Sequence, residues 1–408
     1  MVKISSAILV SFIKVLSVAL STLYILLITN IFSLSVVGEY FVINSVVLLL
    51  GIVFKLGFEF LVVKNLDINK HSFRSVLSVH TKQSIGIYFF CLIFTYFFGE
   101  NILALFNINL LSKDMMLIIV TCGYLYAKTL INATFAQLKN NFLWFSLLNS
   151  LLIPLISIII TWITKDIVVS IMLTYIILYI LSEYYVRTQP ETTDAKCNSI
   201  TNGQQSICLI QYVSLISQYF ILFFVSATSS IEDAAGFSLG QRLSGLLLVI
   251  LMGVNIVSNP KYAQYLRSGN WVSINELFTK MQRFILLVML PVVLIFITFS
   301  ENIILLFSEE FLEYKLLILV LFLGQVINVC TGSVGNLMMI VGYEKQYKTY
   351  VITCNLLLLC LAYPISIMYG VVGLGILLSL SIVMINLASF IKVKSILKLQ
   401  LKNSVSKL

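Results

Sequence analysis

Four cations lie inside long apolar runs of this sequence: Lys14, Lys55, Lys128 and Arg242. A guanidinium cannot shed its proton to escape hydrocarbon, so Arg242 needs water, an anion or a headgroup beside it. Insertion scales put each such residue at about 2.5 to 3.5 kcal/mol near the centre of a membrane helix, so four on lipid-facing surfaces are not expected. They are expected to face a hydrated interior, where dispersed positive charge attracts an anion. Acids at the same depth are scarce. Glu59 is the clearest, and Glu183 is close enough to the end of its run to reach headgroups. Lys55 and Glu59 are four residues apart, one helical turn. That spacing suits an intrahelical ion pair that neutralises both, or a carboxylate whose ionisation changes the pairing of Lys55. The second alternative makes Glu59 a proton- or sodium-coupling group.

Uncharged polar residues accompany these cations at helical spacing. Ser11, Lys14, Ser17 and Ser21 share one side of the first run. Gln211, Ser214 and Gln218 do so in the seventh, Gln325, Asn328, Gly332 and Asn336 in the tenth, and Tyr124 precedes Lys128 by one turn. Such stripes serve either as a wet inner face or as hydrogen-bonding glue between membrane helices.

The elements that carry these residues follow from composition. Of 408 residues, 60% are hydrophobic and 11% charged, too few polar groups to cover a soluble protein of this length. Apolar runs of about 20 residues recur throughout, each long enough to cross a hydrocarbon core as a helix. The expected class is an all-α polytopic membrane protein. Twelve spans are expected near 5–30, 39–63, 84–106, 115–137, 142–163, 167–187, 206–229, 235–258, 284–305, 315–341, 349–369 and 371–391. The first is longer than a secretory signal core and contains Lys14, so it is expected to remain as an uncleaved helix. The seven cysteines lie mostly within spans without CxxC spacing, which implies no disulfide or metal framework.

The net charge of +9 is not a nucleic-acid signal, because of where the charges lie. Outside the spans, only Lys113, Lys165 and Lys315 fall on one face; the remaining basic residues collect on the face carrying both termini. That asymmetry puts both termini in the cytoplasm and requires an even number of spans. Glu39, Glu100, Asp114, Asp166, Glu232, Asp233, Glu309, Glu310 and Glu313 collect on the opposite face.

The stretch "RTQPETTDAKCNSITNGQQ", Arg187 to Gln205, is the one linker-like segment, with six spans on either side. "FSLSVVGEYFVINS" and "SSIEDAAGFSLGQR" each place a short turn, then Gly38 or Gly236, ahead of the second helix of their half. The expected organisation is a six-helix lobe (1–187), a cytoplasmic linker (188–205), a second six-helix lobe (206–391) and a basic tail (392–408). The lobes form a parallel pseudo-repeat around a central cavity. Pro154, Pro291 and Pro364 fall inside the fifth, ninth and eleventh spans, where each removes a helix hydrogen bond and permits a kink or shapes a static helix.

Catalytic signals are weak. "GFSLG" matches the GxSxG nucleophile elbow, but that motif needs a strand-turn-helix and a histidine base. Here Ser238 opens a membrane helix, and His71 and His80 are expected in a loop at the opposite face. No glycine is followed by lysine, so there is no Walker A loop, and there is no HExxH or cysteine-histidine cluster. No enzyme activity and no cofactor are expected.

Several stretches together resemble a known family. "NIFSLSVVGEYFVINSVVLLLGIVFKLGFEF" (Asn30 to Phe60) resembles the opening of the polysaccharide-export flippases. "AAGFSLGQRLSGLLLVILMGVNIVSNPKYAQYLRSGNW" (Ala234 to Trp271) is similar to their second-half signature, an "AxR" or "xQR" element before a long apolar helix. "YGVVGLGILLSLS" (Tyr369 to Ser381) is similar to the glycine-punctuated entry into their last helix pair. The order and spacing resemble Wzx-type O-antigen flippases of the multidrug/oligosaccharidyl-lipid/polysaccharide exporter superfamily. The resemblance implies a bacterial inner-membrane transporter in lipopolysaccharide biosynthesis or capsule export. Its substrate would be an undecaprenyl-diphosphate-linked oligosaccharide carried from the cytoplasmic to the periplasmic leaflet by alternating access. It implies H+ or Na+ coupling of the antiporter kind, contact with membrane lipids and a polysaccharide polymerase as partner. Arg242 matches the family's basic residue of the eighth helix; Lys14, Lys55 and Lys128 carry over only as a cationic lumen. Two alternatives stay open: a surface-polysaccharide polymerase or ligase, and a multidrug exporter of the same superfamily.

Overall fold

The computed structural model describes residues 4–56, 58, 73–105, 112–139, 141–189 and 205–405, and all regular elements among them are helices. α1 is Ile4–Ile31, α2 Leu34–Lys55, α3 Phe73–Leu105 and α4 Lys113–Leu138. α5 is Phe142–Thr164, α6 Ile167–Thr188, α7 Gln205–Thr228 and α8 Ile231–Arg267. α9 is Trp271–Thr298 and α10 Lys315–Thr331. The last helical stretch, Glu344–Val405, is interrupted at Gly370, which separates α11 (344–369) from α12 (371–405).

Ten stretches of the described residues are long and apolar enough to cross a membrane. One of them, Glu344–Leu401, spans 58 residues and so holds both α11 and α12, and α7 adds the shorter apolar helix Leu215–Thr228. The described residues thus carry twelve apolar helices. They cluster into two compact units: Met1–Cys208 with Ser230–Ala234, and Leu209–Ser229 with Ala235–Leu408. Residues 190–204 of the expected linker lie outside the described residues.

Several expected boundaries shift, each for a local reason. The third span was expected from 84, but α3 begins at Phe73 because His80 and Thr81 find buried partners and do not need water. His80 is therefore helical and fully buried, not in a loop. The eighth span extends from 231 to 267 through a turn at Leu246 and Leu247 and runs on across Pro260. The ninth starts at Trp271, capped by Asn270, whose side chain accepts from the Ser273 amide at 3.0 Å. It ends at Thr298, ahead of a separate short helix, Ser300–Leu305, outside the apolar spans. There Lys315 bonds Glu301 at 2.6 Å and holds that carboxyl below its usual range. The tenth span breaks at Gly332, before Val334–Ile340. Residues 392–405 of the expected tail continue α12 as helix.

Helix α5 shows what a proline does here. Its first turn leads into a π-helical turn, Leu147–Leu151, and Pro154 follows directly. Pro154 offers no N–H to the Ser150 carbonyl. Ser17 of α1 donates its hydroxyl to that carbonyl at 2.9 Å, so Ser17 is buried glue between α1 and α5. Tyr24 and Thr161 join the same two helices at 3.2 Å. Ser17→Ala is expected to cost about 1 kcal/mol, the usual net worth of one hydrogen bond. The loss should shrink in a Pro154→Ala background, where a backbone N–H is restored. A double-mutant cycle of thermal midpoints in detergent measures this; equal losses in both backgrounds would contradict it.

Gly370 adopts φ 60° and ψ −153°, a region that L side chains essentially never occupy. A Cβ built there meets nothing within 4 Å, so Gly370→Ala tests backbone conformation without a clash. The expected loss is about 1 to 3 kcal/mol, seen as a lowered thermal midpoint; an unchanged midpoint would show that the α11–α12 break relaxes freely.

Candidate functional site

The first unit holds a buried polar cluster at the meeting of α2, α3, α4 and α6. Gly123 permits close packing of α4 on α2: a Cβ there would fall 2.6 Å from the Leu50 Cβ. At the same crossing the Tyr88 and Tyr124 rings stack 4.6 Å apart, and Phe54 meets both edge-on. Lys128 is 5% exposed and donates from Nζ to Thr81 Oγ1 at 2.5 Å, with His80 Nδ1 at 3.2 Å. An ammonium only donates, so Nδ1 accepts and the imidazole proton resides on Nε2. His80 Nε2 then donates to the Phe54 carbonyl at 2.9 Å. Lys128 also lies 5.4 Å above the Tyr124 ring, a cation–π distance. One turn along α4, Asn132 donates to Ser182 at 3.1 Å and to Glu183 at 3.2 Å. Glu183 in turn pairs with Arg187 at 3.3 Å.

The four cations are therefore placed differently. Lys55 is buried in the last turn of α2. Lys128 is held by His80 and Thr81, while Lys14 is half-buried on α1. These three belong to the first unit and Arg242 to the second. Arg242 is exposed on α8, among the described residues it has no ion pair, and it is near enough to act electrostatically on Tyr219 of α7. Glu59 lies outside the described residues. Among those that are described, no group of three or more His, Cys, Asp or Glu residues could hold a metal.

The second unit contains a cavity of about 280 Å³ between α7, α8, α10, α11 and α12. Small residues bring its walls together. A Cβ on Gly240 would press on Leu321, and one on Gly324 would meet Ser379, whose hydroxyl donates to the Val320 carbonyl at 3.1 Å. Gln218, Gln325 and Asn328, read from sequence as polar stripes, all line it. Sequence reasoning missed the roles of His80 and Thr81, and the cavity amides Asn355 and Asn386. The available signal for these two was a lone amide at membrane depth in an apolar helix.

Comparison with known proteins places this arrangement. The MatE family model matches residues 206–364. No curated protein matches the chain. Among solved structures, "Lipid II flippase MurJ, inward closed conformation" aligns at TM-score 0.74 and 18% identity, covering 95% of this chain and 87% of that one. An inward-facing multidrug resistance MATE family transporter of the MOP superfamily aligns at TM-score 0.67 and 14% identity, covering 96% of both chains. A MOP superfamily transporter from Pyrococcus furiosus, titled for the reverse polarity of its binding pocket, aligns at TM-score 0.54 and 14% identity, covering 97% of this chain and 96% of that one. The chain has the two-lobed helical fold of the MATE and MurJ transport proteins, and residues 206–364 match the MatE family model.

Proposed function

We propose that the protein is a flippase for an undecaprenyl-diphosphate-linked oligosaccharide, an O-antigen or capsule repeat unit. It carries this lipid from the cytoplasmic to the periplasmic leaflet by alternating access, coupled to an H+ or Na+ gradient. The observation that carries the reading is Arg242, exposed at membrane depth and with no ion pair to an acid among the described residues. A diphosphate brings the negative charge that such a guanidinium lacks, in a fork geometry that guanidinium matches. Lys14, Lys55 and Lys128 are proposed as further substrate-binding cations. Likeness in fold to a structure named as a lipid II flippase supports the same reading. Glu59 is the proposed coupling carboxylate. The protein then resides in the bacterial cytoplasmic membrane with both termini cytoplasmic, and the polymerase of the same polysaccharide is its proposed partner.

The match to the MatE model favours a second reading, multidrug export. An organic-cation pump would be expected to surround its cavity with acids, the reverse of the balance at membrane depth here. Proteoliposomes containing the purified protein and an undecaprenyl-diphosphate-linked oligosaccharide separate the two. Lectin access to the glycan should rise when a proton or sodium gradient is imposed and should lose its gradient dependence in Glu59→Gln. Gradient-driven efflux of a cationic dye with no movement of the glycan would favour the drug exporter.

A further inference from the structure

Among the described residues no charged group lines the cavity of the second unit, and this limits what it can hold. Gln241, Gln325, Asn328, Asn355, Ser381 and Asn386 contribute to its walls. Hydrogen bonds already fix which end of each asparagine is engaged. Asn355 donates its Nδ2 to the Val351 carbonyl at 2.8 Å, and Asn386 to the Ile382 carbonyl at 2.8 Å. Asn328 donates its Nδ2 to Gln325 Oε1 at 2.8 Å. Only the NH2 end of an amide can donate to a carbonyl, so three side-chain carbonyl oxygens remain as acceptors. Donors remain as well. Gln325 keeps its Nε2, and Gln241 Nε2 is buried without a partner.

A hydroxyl both donates and accepts, so a ring bearing several hydroxyls satisfies this mixed set without introducing charge. A phosphate would find no cation here, a divalent metal no carboxylate, and an apolar molecule would leave the amides unpaired. The volume of about 280 Å³ is at the low end for small-ligand pockets and suits one ring, not an extended chain. Tyr347 supplies an aromatic wall of the kind that packs on sugar C–H groups. We infer that this cavity is a subsite for one neutral pyranose ring. Identifying that ring as part of the transported glycan rests on the flippase reading; the sugar site itself does not.

The full-length protein in nanodiscs can be probed by saturation-transfer NMR with methyl glycosides of a hexose, an N-acetylhexosamine and a 6-deoxyhexose. At least one glycoside should bind, and its affinity should fall roughly tenfold or more in Asn355→Leu. The milder Ser381→Ala, which removes one hydroxyl and adds no bulk, should weaken it in the same direction. Arg242→Ala should leave binding unchanged while removing export. Absence of saturation transfer from all three glycosides, or full binding in both cavity variants, would overturn the inference. Sugar binding in a protein that moves no lipid-linked glycan would leave the subsite standing and remove the flippase reading.

Discussion

Replacing Arg242 with alanine is expected to lower export of the lipid-linked oligosaccharide by about 10- to 100-fold, with the amount of protein in the membrane unchanged. The size follows from the loss of charge-assisted hydrogen bonds to phosphate, about 1.5 to 3 kcal/mol. The unchanged protein level follows from geometry: Arg242 is exposed and ion-pairs with none of the described residues, so its removal leaves no buried partner unsatisfied. Arg242→Lys keeps the charge but not the planar fork, and should retain part of the activity. Export assayed by surface glycan, with membrane protein level measured alongside, checks both. Full export in Arg242→Ala would make the residue an interfacial anchor.

The second large effect concerns Lys128 and His80. His80→Leu removes an acceptor of a buried ammonium and should destabilise the protein by about 1.5 to 3 kcal/mol. Lys128→Met removes the charge and its desolvation together, so it should cost less despite the lost hydrogen bonds. The double variant should lose less than the sum of the two single losses, because His80 serves in part as the partner of that ammonium, while its hydrogen bond to the Phe54 carbonyl is lost in either background. Thermal midpoints of the four proteins in one detergent give the cycle. Additive losses would show that the 3.2 Å contact between them carries no coupling.

These two residues also mark how far sequence could be read. Each is a cation at membrane depth, and the physical inference from sequence, a need for water or an anion, was the same for both. Arg242 is exposed. Lys128 is met instead by a histidine from another helix, 48 positions earlier. Charged neighbours ahead of residue 84 read as a loop, since nothing in local sequence reveals that His80 and Thr81 of α3 face Lys128. Helix number and type were legible because apolar runs of span length have few other outcomes. The break at Gly370 was legible as glycine punctuation, but the π turn before Pro154 was not. It depends on how the backbone accommodates the proline, while Ser17 of α1 satisfies the Ser150 carbonyl. The amide cavity was half visible, since Gln325 and Asn328 form a stripe on one helix, while Asn355 and Asn386 join them only through packing.

The most direct test of the account is the leaflet distribution of the lipid-linked oligosaccharide in spheroplasts with and without the protein, read with an externally added glycosidase or lectin. Single lipid-linked units are expected to accumulate on the inner leaflet, shielded from the probe, when the protein is missing. Single units that still reach the outer leaflet but fail to lengthen would contradict it and would assign the protein to polymerisation.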